Sequence, residues 1–192
     1  MMEKLNGKDL INVGIYSAIY FVIVFVVAML GVIPVFYPML TVFVPLIGGI
    51  PFMMFLTKVE KFGMIWIMSI IMGIMMLLTG MSYYALAVGV FTGLIAELIY
   101  KSGKYKSSVK AILTYGVFGI WIWGNYLLFF LDRESYYAMR QDLGQEYLMK
   151  LSNMLPMWMC PVMLIACIVC GLLGGVFGKK LLKKHFIKAG IV

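Results

Sequence analysis

Apolar residues occur along this chain in six long runs, and short polar stretches separate them. The runs cover residues 10–31, 38–56, 62–80, 81–100, 111–131 and 155–178. Each is close to the ~20 residues that an α-helix needs to cross the hydrocarbon core of a bilayer. Their apolar positions are continuous, whereas the strands of a membrane barrel alternate apolar and polar residues. The pattern therefore predicts an all-α bundle of six transmembrane helices.

The first run has to be distinguished from a cleaved signal peptide. It follows a polar start, MMEKLNGKD, and it is longer than the apolar core of about 7–15 residues found in signal peptides. No clear small-x-small cleavage site follows it. We therefore expect the first run to be retained as a transmembrane helix.

Composition identifies the solvent of this chain as lipid. Of its 192 residues, 64% are hydrophobic and only 12% are charged, and the mean hydropathy is +1.01. Soluble domains carry about 25% charged residues. Such a chain has too little polar surface to cover itself in water. We predict an integral membrane protein whose residues 1–192 form a single membrane domain.

The basic residues are distributed unevenly between the two sides of the predicted bundle. Thirteen of the 16 fall at the two termini and in the connections after the second and fourth runs: Lys4, Lys8, Lys58, Lys61, Lys101, Lys104, Lys106, Lys110, Lys179, Lys180, Lys183, Lys184 and Lys188. Only Arg133, Arg140 and Lys150 lie on the opposite side. Because cytoplasmic loops are rich in lysine and arginine, both termini are predicted to be cytoplasmic. The net charge of +8 is then a topology signal rather than a nucleic-acid-binding surface, and the basic rim could hold anionic lipid headgroups.

Glu97 is the one ionisable side chain within the six runs, and two interpretations fit it. It lies one turn before Lys101, so it could be a locally paired acid that extends to water at the cytoplasmic interface. Alternatively, Gly89, Gly93 and Glu97 share a helix face. Small residues mark close helix contacts, so Glu97 would then point into the protein as a polar contact near the cytoplasmic surface.

The second run is unusual in its prolines and glycines. Residues 32–52 contain Pro34, Pro38, Pro45 and Pro51 together with Gly48 and Gly49. One interpretation is an outer loop followed by a broken second helix, which together shape the mouth of a cavity. The other is a helix that is only kinked.

The chain offers no recognisable metal, disulfide or ATP chemistry. Cys160, Cys167 and Cys170 lie within the sixth run, and the single histidine, His185, lies in the predicted cytoplasmic tail. We therefore interpret the cysteines as small apolar residues rather than zinc ligands. The sequence GGVFGKK lacks the G-x-x-x-x-G-K-[ST] spacing of a P-loop. The glycines of the sixth run, at 171, 174, 175 and 178, instead indicate close helix packing.

Candidate binding residues lie in the predicted outer half. Trp121 and Asn125 are four residues apart on the fifth run, and Asp132 falls near the same face. Tyr83 and Tyr84 follow the turn between the third and fourth runs, and Trp158 lies near the start of the sixth. Aromatic walls with a few polar groups are typical of small-molecule pockets. Aromatic residues at this level can also form a simple interfacial belt.

The connection of residues 132–154 is the longest polar segment of the chain. In its second half Tyr147, Leu148, Leu151 and Leu155 recur at helical spacing. This spacing predicts a short amphipathic helix. The helix could be a lid over the pocket or a surface helix without a role in binding.

Three stretches of the chain resemble the substrate-binding S components of energy-coupling factor (ECF) transporters. They are KDLINVGIYSAIYFV, PLIGGIPFMMFLTKVEKFG and GLIAELIYKSGKYKS. Within that superfamily the chain is most similar to the MptD-like (Trep_Strep) group, and the similarity extends loosely over nearly the whole chain. S components commonly carry an A-x-x-x-A motif in their first helix. The matching positions here are Gly14 and Ala18, so glycine replaces one alanine.

The resemblance implies one subunit of an ATP-driven importer in the bacterial plasma membrane. Such a subunit binds a vitamin or another micronutrient at its outer face and needs no cofactor. It then docks, through the face that contains Gly14 and Ala18, on a membrane coupling subunit that carries two cytoplasmic ATPases. The identity of the nutrient stays open. A haem-like or otherwise bulky apolar ligand is compatible with the many methionines and tyrosines.

Two other classes of protein are alternatives. A membrane-embedded enzyme would need clustered ionisable groups at its reacting centre, whereas the six runs supply only Glu97. We therefore expect no enzymatic activity. A membrane partner or assembly protein would hold no small molecule. Retention of a ligand by the purified protein would therefore distinguish an S component from such a partner protein.

Overall fold

A computed structural model describes residues 4–188 of the chain, and within that range every regular element is helical. The α-helices are α1 (Gly7–Ala28), α2 (Leu40–Leu56), α3 (Met64–Leu78), α4 (Tyr83–Ser102), α5 (Ser108–Phe118), α6 (Trp121–Gly124), α7 (Leu127–Leu131), α8 (Arg133–Met139), α9 (Gln145–Met154), α10 (Met159–Leu181) and α11 (Lys183–Lys188). Short 3-10 helices cover Met29–Val32, Pro34–Phe36 and Gln141–Leu143. Residues 1–3 and 189–192, at the two ends of the predicted domain, lie outside the described residues.

Three of the helical segments are long and apolar enough to cross a bilayer. They are Gly7–Val32, Tyr83–Ser102 and Met159–Leu181. Three shorter apolar helices, Leu40–Leu56, Met64–Leu78 and Ser108–Gly124, complete the set. Each of the six predicted runs overlaps one of these segments. The all-helical membrane architecture that the hydropathy pattern predicts is therefore confirmed.

The two ends of the bundle differ in chemistry. The inner end, which we define as the end that carries the start of α1 and α11, has a polar pocket lined by Lys8, Thr57, Lys61 and Lys188 among others. There Lys61 pairs with Asp9 at 3.0 Å. The outer end, which we define as the end that carries α8 and α9, is built from the connections α1–α2, α3–α4 and α7–α10.

Glu97 is fully buried near the inner end of α4. Its carboxylate accepts hydrogen bonds from the backbone N–H groups of Ile65 (2.8 Å) and Trp66 (3.3 Å) and from the hydroxyl of Tyr105 (3.3 Å). The first N–H groups of a helix have no partner within the helix, and the carboxylate supplies one for α3. The interpretation that Glu97 extends to water is therefore wrong, and the interpretation that it points into the protein is confirmed.

Glycines bring α2 and α10 into backbone contact. A methyl group on Gly174 would collide with the backbone carbonyl oxygens of Pro45 and Leu46, and one on Gly178 would lie 2.6 Å from the carbonyl oxygen of Gly49. Gly171 similarly faces the backbone of α5. The close packing that the glycine spacing predicts is confirmed.

The prolines do not break the second helix. Pro45 and Pro51 both lie inside α2, which runs without interruption from Leu40 to Leu56. Each proline lacks the N–H that would bond the carbonyl oxygen four residues earlier, so Pro45 and Pro51 remove one backbone bond each, at the carbonyl oxygens of Thr41 and Ile47. The carbonyl oxygen of Pro45 accepts a hydrogen bond from the Tyr115 hydroxyl at 2.7 Å, which ties α2 to α5. The broken second helix is therefore wrong. The fifth run is the interrupted one, since it forms the three short helices α5, α6 and α7.

Candidate functional site

A cavity of about 250 Å³ lies between the elements of the outer end. Its walls are mostly apolar. They include Val24 of α1, Leu40 and Val44 of α2, Met76 of α3 and Ile122 of α6. Met29, Gly31 and Val32, where the first apolar run passes into the proline-rich segment, also line the cavity. The cavity is therefore assembled from segments that are far apart in the sequence.

Trp121 and Asn125 both lie on the wall of this cavity. Asn125 follows the last residue of α6, and its amide nitrogen donates to the carbonyl oxygens of Trp121 (3.4 Å) and Ile122 (3.1 Å). Because both of these neighbours are acceptors, the amide group is oriented with its nitrogen toward them, and its oxygen Oδ1 is the atom left over. Asn125 Oδ1 and the indole Nε1 of Trp121 are both buried without a hydrogen-bond partner among the described residues.

Buried polar atoms without a partner are uncommon because leaving one unpaired costs about 1–3 kcal/mol. Two of them, one acceptor and one donor, occur on residues that line the same cavity. Both atoms are enclosed by protein as the cavity stands, so a ligand would reach either one only after a shift of that side chain. Buried polar atoms without a partner also occur on Ser17, Tyr20 and Ser82, which do not line the cavity. The two residues that spacing alone placed on one face are therefore brought together at a cavity.

The other predicted binding residues lie elsewhere. Tyr83 and Tyr84 stack on each other with ring centroids 4.4 Å apart, and Tyr83 and Trp158 are each more than 60% exposed. None of the three lines the cavity. Asp132 is also remote from it, because the interruptions of the fifth run change the helix face on which the residue falls. It accepts bonds from the backbone N–H and hydroxyl of Ser135 at the start of α8, and those bonds lower the pKa of its carboxyl.

Three further tyrosines also line the cavity: Tyr37, Tyr126 and Tyr147. Of these, the sequence analysis named only Tyr147, as part of the predicted helix of the outer connection. The Tyr126 hydroxyl donates to the carbonyl oxygen of Tyr37 at 2.7 Å. The Tyr147 hydroxyl donates to the carbonyl oxygen of Gly31. These bonds tie the outer loop to α9 and to the fifth run, and they join residues 89 and 116 positions apart. No local pattern could reveal them.

The predicted helix of the outer connection exists as α9, and its apolar side faces inward. Tyr147, Leu148 and Leu151 are buried, and Tyr147 reaches the cavity wall. The structure therefore makes α9 part of the enclosure rather than a detached surface helix.

Arg140, also from the outer connection, is the one charged side chain that lines the cavity among the described residues. Its side chain is only 15% exposed and its Nε pairs with Asp142 at 3.3 Å. Its Nη1 contacts the sulfur of Met81 at 3.6 Å. The sequence analysis used Arg140 only as a charge of the outer side, and its place in the site was missed.

Gly14 and Ala18 lie on the opposite half of α1 from the cavity and are both exposed. No protein atom lies within 4 Å of the position that a Cβ on Gly14 would occupy. As for metals, the described residues contain no group of three or more histidine, cysteine, aspartate or glutamate side chains that could hold an ion.

A family model described as "Hypothetical bacterial integral membrane protein (Trep_Strep)" matches residues 7–188 of the chain. No curated protein and no solved structure matches this chain. The family match and the apolar helices together identify a membrane-embedded, multi-pass bacterial protein.

Proposed function

The chain belongs to the Trep_Strep family of bacterial integral membrane proteins, and from that premise we propose that it is the substrate-capture S component of an ECF-type importer. In this proposal the protein binds a vitamin or another micronutrient in the outer cavity. It then docks on a membrane coupling subunit, and two cytoplasmic ATPases attached to that subunit drive uptake. The protein itself binds and does not catalyse.

The topology in this proposal is six transmembrane helices with both termini in the cytoplasm. The three long apolar segments and the three shorter apolar helices are the candidates for the six spans. The shorter helices are compatible with spanning because a bilayer can thin locally around a short apolar segment. Lysines dominate the inner end, which favours the cytoplasm as its location.

The observation that carries the proposal is the outer cavity with its unpaired polar atoms. Trp121 Nε1 and Asn125 Oδ1 are buried on residues that line an apolar space of about 250 Å³. Ligand pockets typically combine apolar walls with a few polar groups that fix orientation.

The volume of the cavity favours a small ligand. Pockets for drug-sized molecules measure about 300–1,000 Å³, and this cavity lies just below that range. A haem-like macrocycle, the bulkiest ligand considered, would require the outer connection to move away. We therefore propose a compact nutrient.

The docking face in this proposal is the exposed half of α1 around Gly14 and Ala18. Both residues are small, exposed and one turn apart. Helices in lipid associate through close van der Waals contact, so a groove of small residues is a favourable place for another backbone. Its resemblance to the A-x-x-x-A motif of S components supports the same assignment.

Co-purification tests the proposal without knowledge of the nutrient. The tagged chain is co-expressed with the ECF coupling subunit and ATPases of the source bacterium and then purified in mild detergent. We expect the wild-type chain to retain the coupling subunit and the Gly14→Leu/Ala18→Leu variant to lose most of it, because leucine side chains hold the partner helix away.

The matched control for that experiment is Val169→Leu, which changes an exposed position on α10 and should leave co-purification intact. Failure of the wild-type chain to retain any ECF subunit would contradict the assignment to this class of importer. Equal retention by the double leucine variant would move the docking surface elsewhere.

A further inference from the structure

We propose that the outer cavity selects an anionic ligand with a compact apolar body. Arg140 binds the anionic group of this ligand, and Asn125 Oδ1 accepts a hydrogen bond from a separate N–H or O–H group of the same ligand. The inference rests on the proposed function in one respect, namely that the cavity is a ligand site. It adds the chemical class of the ligand and names the residues that distinguish an anionic ligand from a neutral one.

The first step is the surplus of donors on Arg140. A guanidinium carries five N–H donors and no acceptor. Its hydrogen-bond partners among the described residues are one carboxylate oxygen of Asp142, at Nε, and the weakly accepting sulfur of Met81, at Nη1. The remaining donors belong to a side chain that lines the cavity and is 15% exposed. A carboxylate or phosphate is the group that matches this donor geometry.

The second step concerns the competition from Asp142. Its contact with Arg140 uses a single oxygen at 3.3 Å, and the Asp142 side chain is 64% exposed. Ion pairs with an exposed partner contribute little because water and salt screen them. A ligand anion inside the largely apolar cavity would be less screened than Asp142 is. It can therefore bind Arg140 alongside Asp142 or in its place.

The third step removes the other polar groups of the cavity from consideration. The hydroxyls of Tyr126, Tyr147 and Thr79 each donate to a backbone carbonyl oxygen of the protein. Those groups are already satisfied. The Tyr37 hydroxyl is paired with the Tyr136 hydroxyl at 3.1 Å. On the residues that line the cavity, the buried polar atoms without any partner are Asn125 Oδ1, an acceptor, and Trp121 Nε1, a donor.

These requirements define a ligand class. One anionic group would meet Arg140, and one N–H or O–H group would meet Asn125. The rest of the molecule would be apolar, to match walls such as Val24, Leu40 and Met76. The volume of about 250 Å³ suits one ring or two fused rings with a short acidic arm.

Matched pairs of acids and amides test the inference with the full chain in lipid nanodiscs. The probes are benzoate, indole-3-acetate and 2-naphthoate, each beside its carboxamide, and binding is measured by calorimetry. We expect at least one carboxylate to bind about tenfold or more tightly than its amide. Arg140→Gln should weaken binding of that carboxylate by about 10- to 100-fold and leave the amide unchanged, since a hydrogen-bonded charge is lost.

Asn125→Ala provides an independent arm of the same experiment. Indole-3-acetate has a ring N–H that can donate to Asn125 Oδ1, whereas 2-naphthoate has none. The variant should therefore weaken indole-3-acetate by about 5- to 100-fold and leave 2-naphthoate nearly unchanged.

Lys150→Gln is the charge control, because it removes a positive charge from an exposed outer residue that pairs only with Glu146 among the described residues. It should leave every probe unchanged. Asp142→Asn removes the competing carboxylate without touching Arg140, so carboxylate binding should be equal or tighter. That variant keeps the inference falsifiable if Arg140→Gln fails to fold.

The outcomes separate this inference from the proposed function. Equal binding of acids and amides by the wild-type chain would overturn the anionic ligand and leave a neutral ligand in the same cavity. Weaker carboxylate binding by Asp142→Asn, or binding of none of the six probes, would overturn the inference as well. Membership of an ECF importer is decided separately, by co-purification of the coupling subunit.

Discussion

A carboxylate inside the apolar part of a membrane protein is costly unless protein groups replace the water it loses. Glu97 meets that requirement through two backbone N–H groups of α3 and the hydroxyl of Tyr105. The partial positive charge at the beginning of a helix adds to the attraction. Glu97 therefore fixes the inner end of α4 against the start of α3, and its role is structural.

Substitution of Glu97 should lower stability without affecting the outer cavity. Glu97→Ala leaves the N–H groups of Ile65 and Trp66 without their acceptor, at a cost of about 1–3 kcal/mol in the free energy of unfolding. Glu97→Gln keeps one acceptor oxygen and should cost less. The measurement is unfolding of the purified protein in detergent, with probe binding at 25 °C measured in parallel.

Glu60→Ala is the matched control for this prediction, because Glu60 is an exposed acid at the same end of the bundle. It should leave the free energy of unfolding nearly unchanged. Loss of probe binding by a folded Glu97→Gln variant would contradict a purely structural role.

The sequence could identify only part of the candidate site. Trp121 and Asn125 are predictable because four residues of helix place them on one side, and that short-range geometry survives in the structure. Tyr147 is predictable as part of a helix that could cover the pocket, whereas Arg140 and Tyr37 are not predictable. They reach the same cavity through packing between segments that are distant in the chain, and their local sequence contains no signal of that contact. Tyr83, Tyr84 and Trp158 follow the general pattern of interfacial aromatics, which does not distinguish a pocket wall from an exposed belt.

Contacts between whole helices depend on the absence of side chains at a few positions. In lipid the apolar surfaces of two helices gain little from leaving the solvent, so association depends on close packing. Gly49 and Gly174 allow the backbones of α2 and α10 to touch. This contact also supports a helix that two prolines have weakened.

A methyl group at the α2–α10 contact should therefore destabilise the bundle. Gly174→Ala places a Cβ against carbonyl oxygens of Pro45 and Leu46, and because both obstacles are backbone atoms, a helix must shift. Overpacking of this kind costs about 1–3 kcal/mol, which a lower midpoint of thermal unfolding would report. Gly14→Ala is the control. It has open space around the added methyl and should be neutral or slightly stabilising. Equal stability of the two variants would contradict the proposed role of the glycine contact.

The hydropathy pattern predicted well where the helices lie, but it predicted poorly which apolar runs form one unbroken helix. Each apolar run contains a helix because the length and polarity of a segment depend on its own residues. The interruptions do not follow from hydropathy. Pro45 and Pro51 mark the second run as the one to break, yet α2 is packed between α1, α5 and α10 and stays continuous. The fifth run carries no proline and still divides into α5, α6 and α7, which moves Asp132 away from the face of Trp121.

The whole molecule is asymmetric in charge along the bundle axis. Thirteen lysines lie near the two ends of the chain or in and beside the connections α2–α3 and α4–α5. Contacts such as Lys179 with Ser108 at 2.7 Å bring these segments together at the inner end. At the outer end the three basic residues have local partners: Arg133 bonds Ser152, Arg140 pairs with Asp142 and Lys150 pairs with Glu146. The cavity opens among the elements of that second end. A ligand taken from outside would therefore meet the cavity first, provided that the lysine-rich end is cytoplasmic.

That orientation can be measured with single cysteines in a background where Cys160, Cys167 and Cys170 are replaced by alanine. Lys104→Cys and Gln141→Cys both lie at exposed positions, on opposite ends of the bundle. A membrane-impermeant maleimide added to intact cells should label Gln141→Cys at once and Lys104→Cys only after the membrane is opened, because lysine-rich connections stay in the cytoplasm. Phe91→Cys, on the exposed side of α4, is the control and should resist the reagent in both conditions, since a charged maleimide does not enter the hydrocarbon core. Labelling of Lys104→Cys in intact cells would reverse the orientation and place the cavity toward the cytoplasm. A substrate-capture role for uptake would then be excluded, because the cavity would face the compartment into which an importer delivers its nutrient.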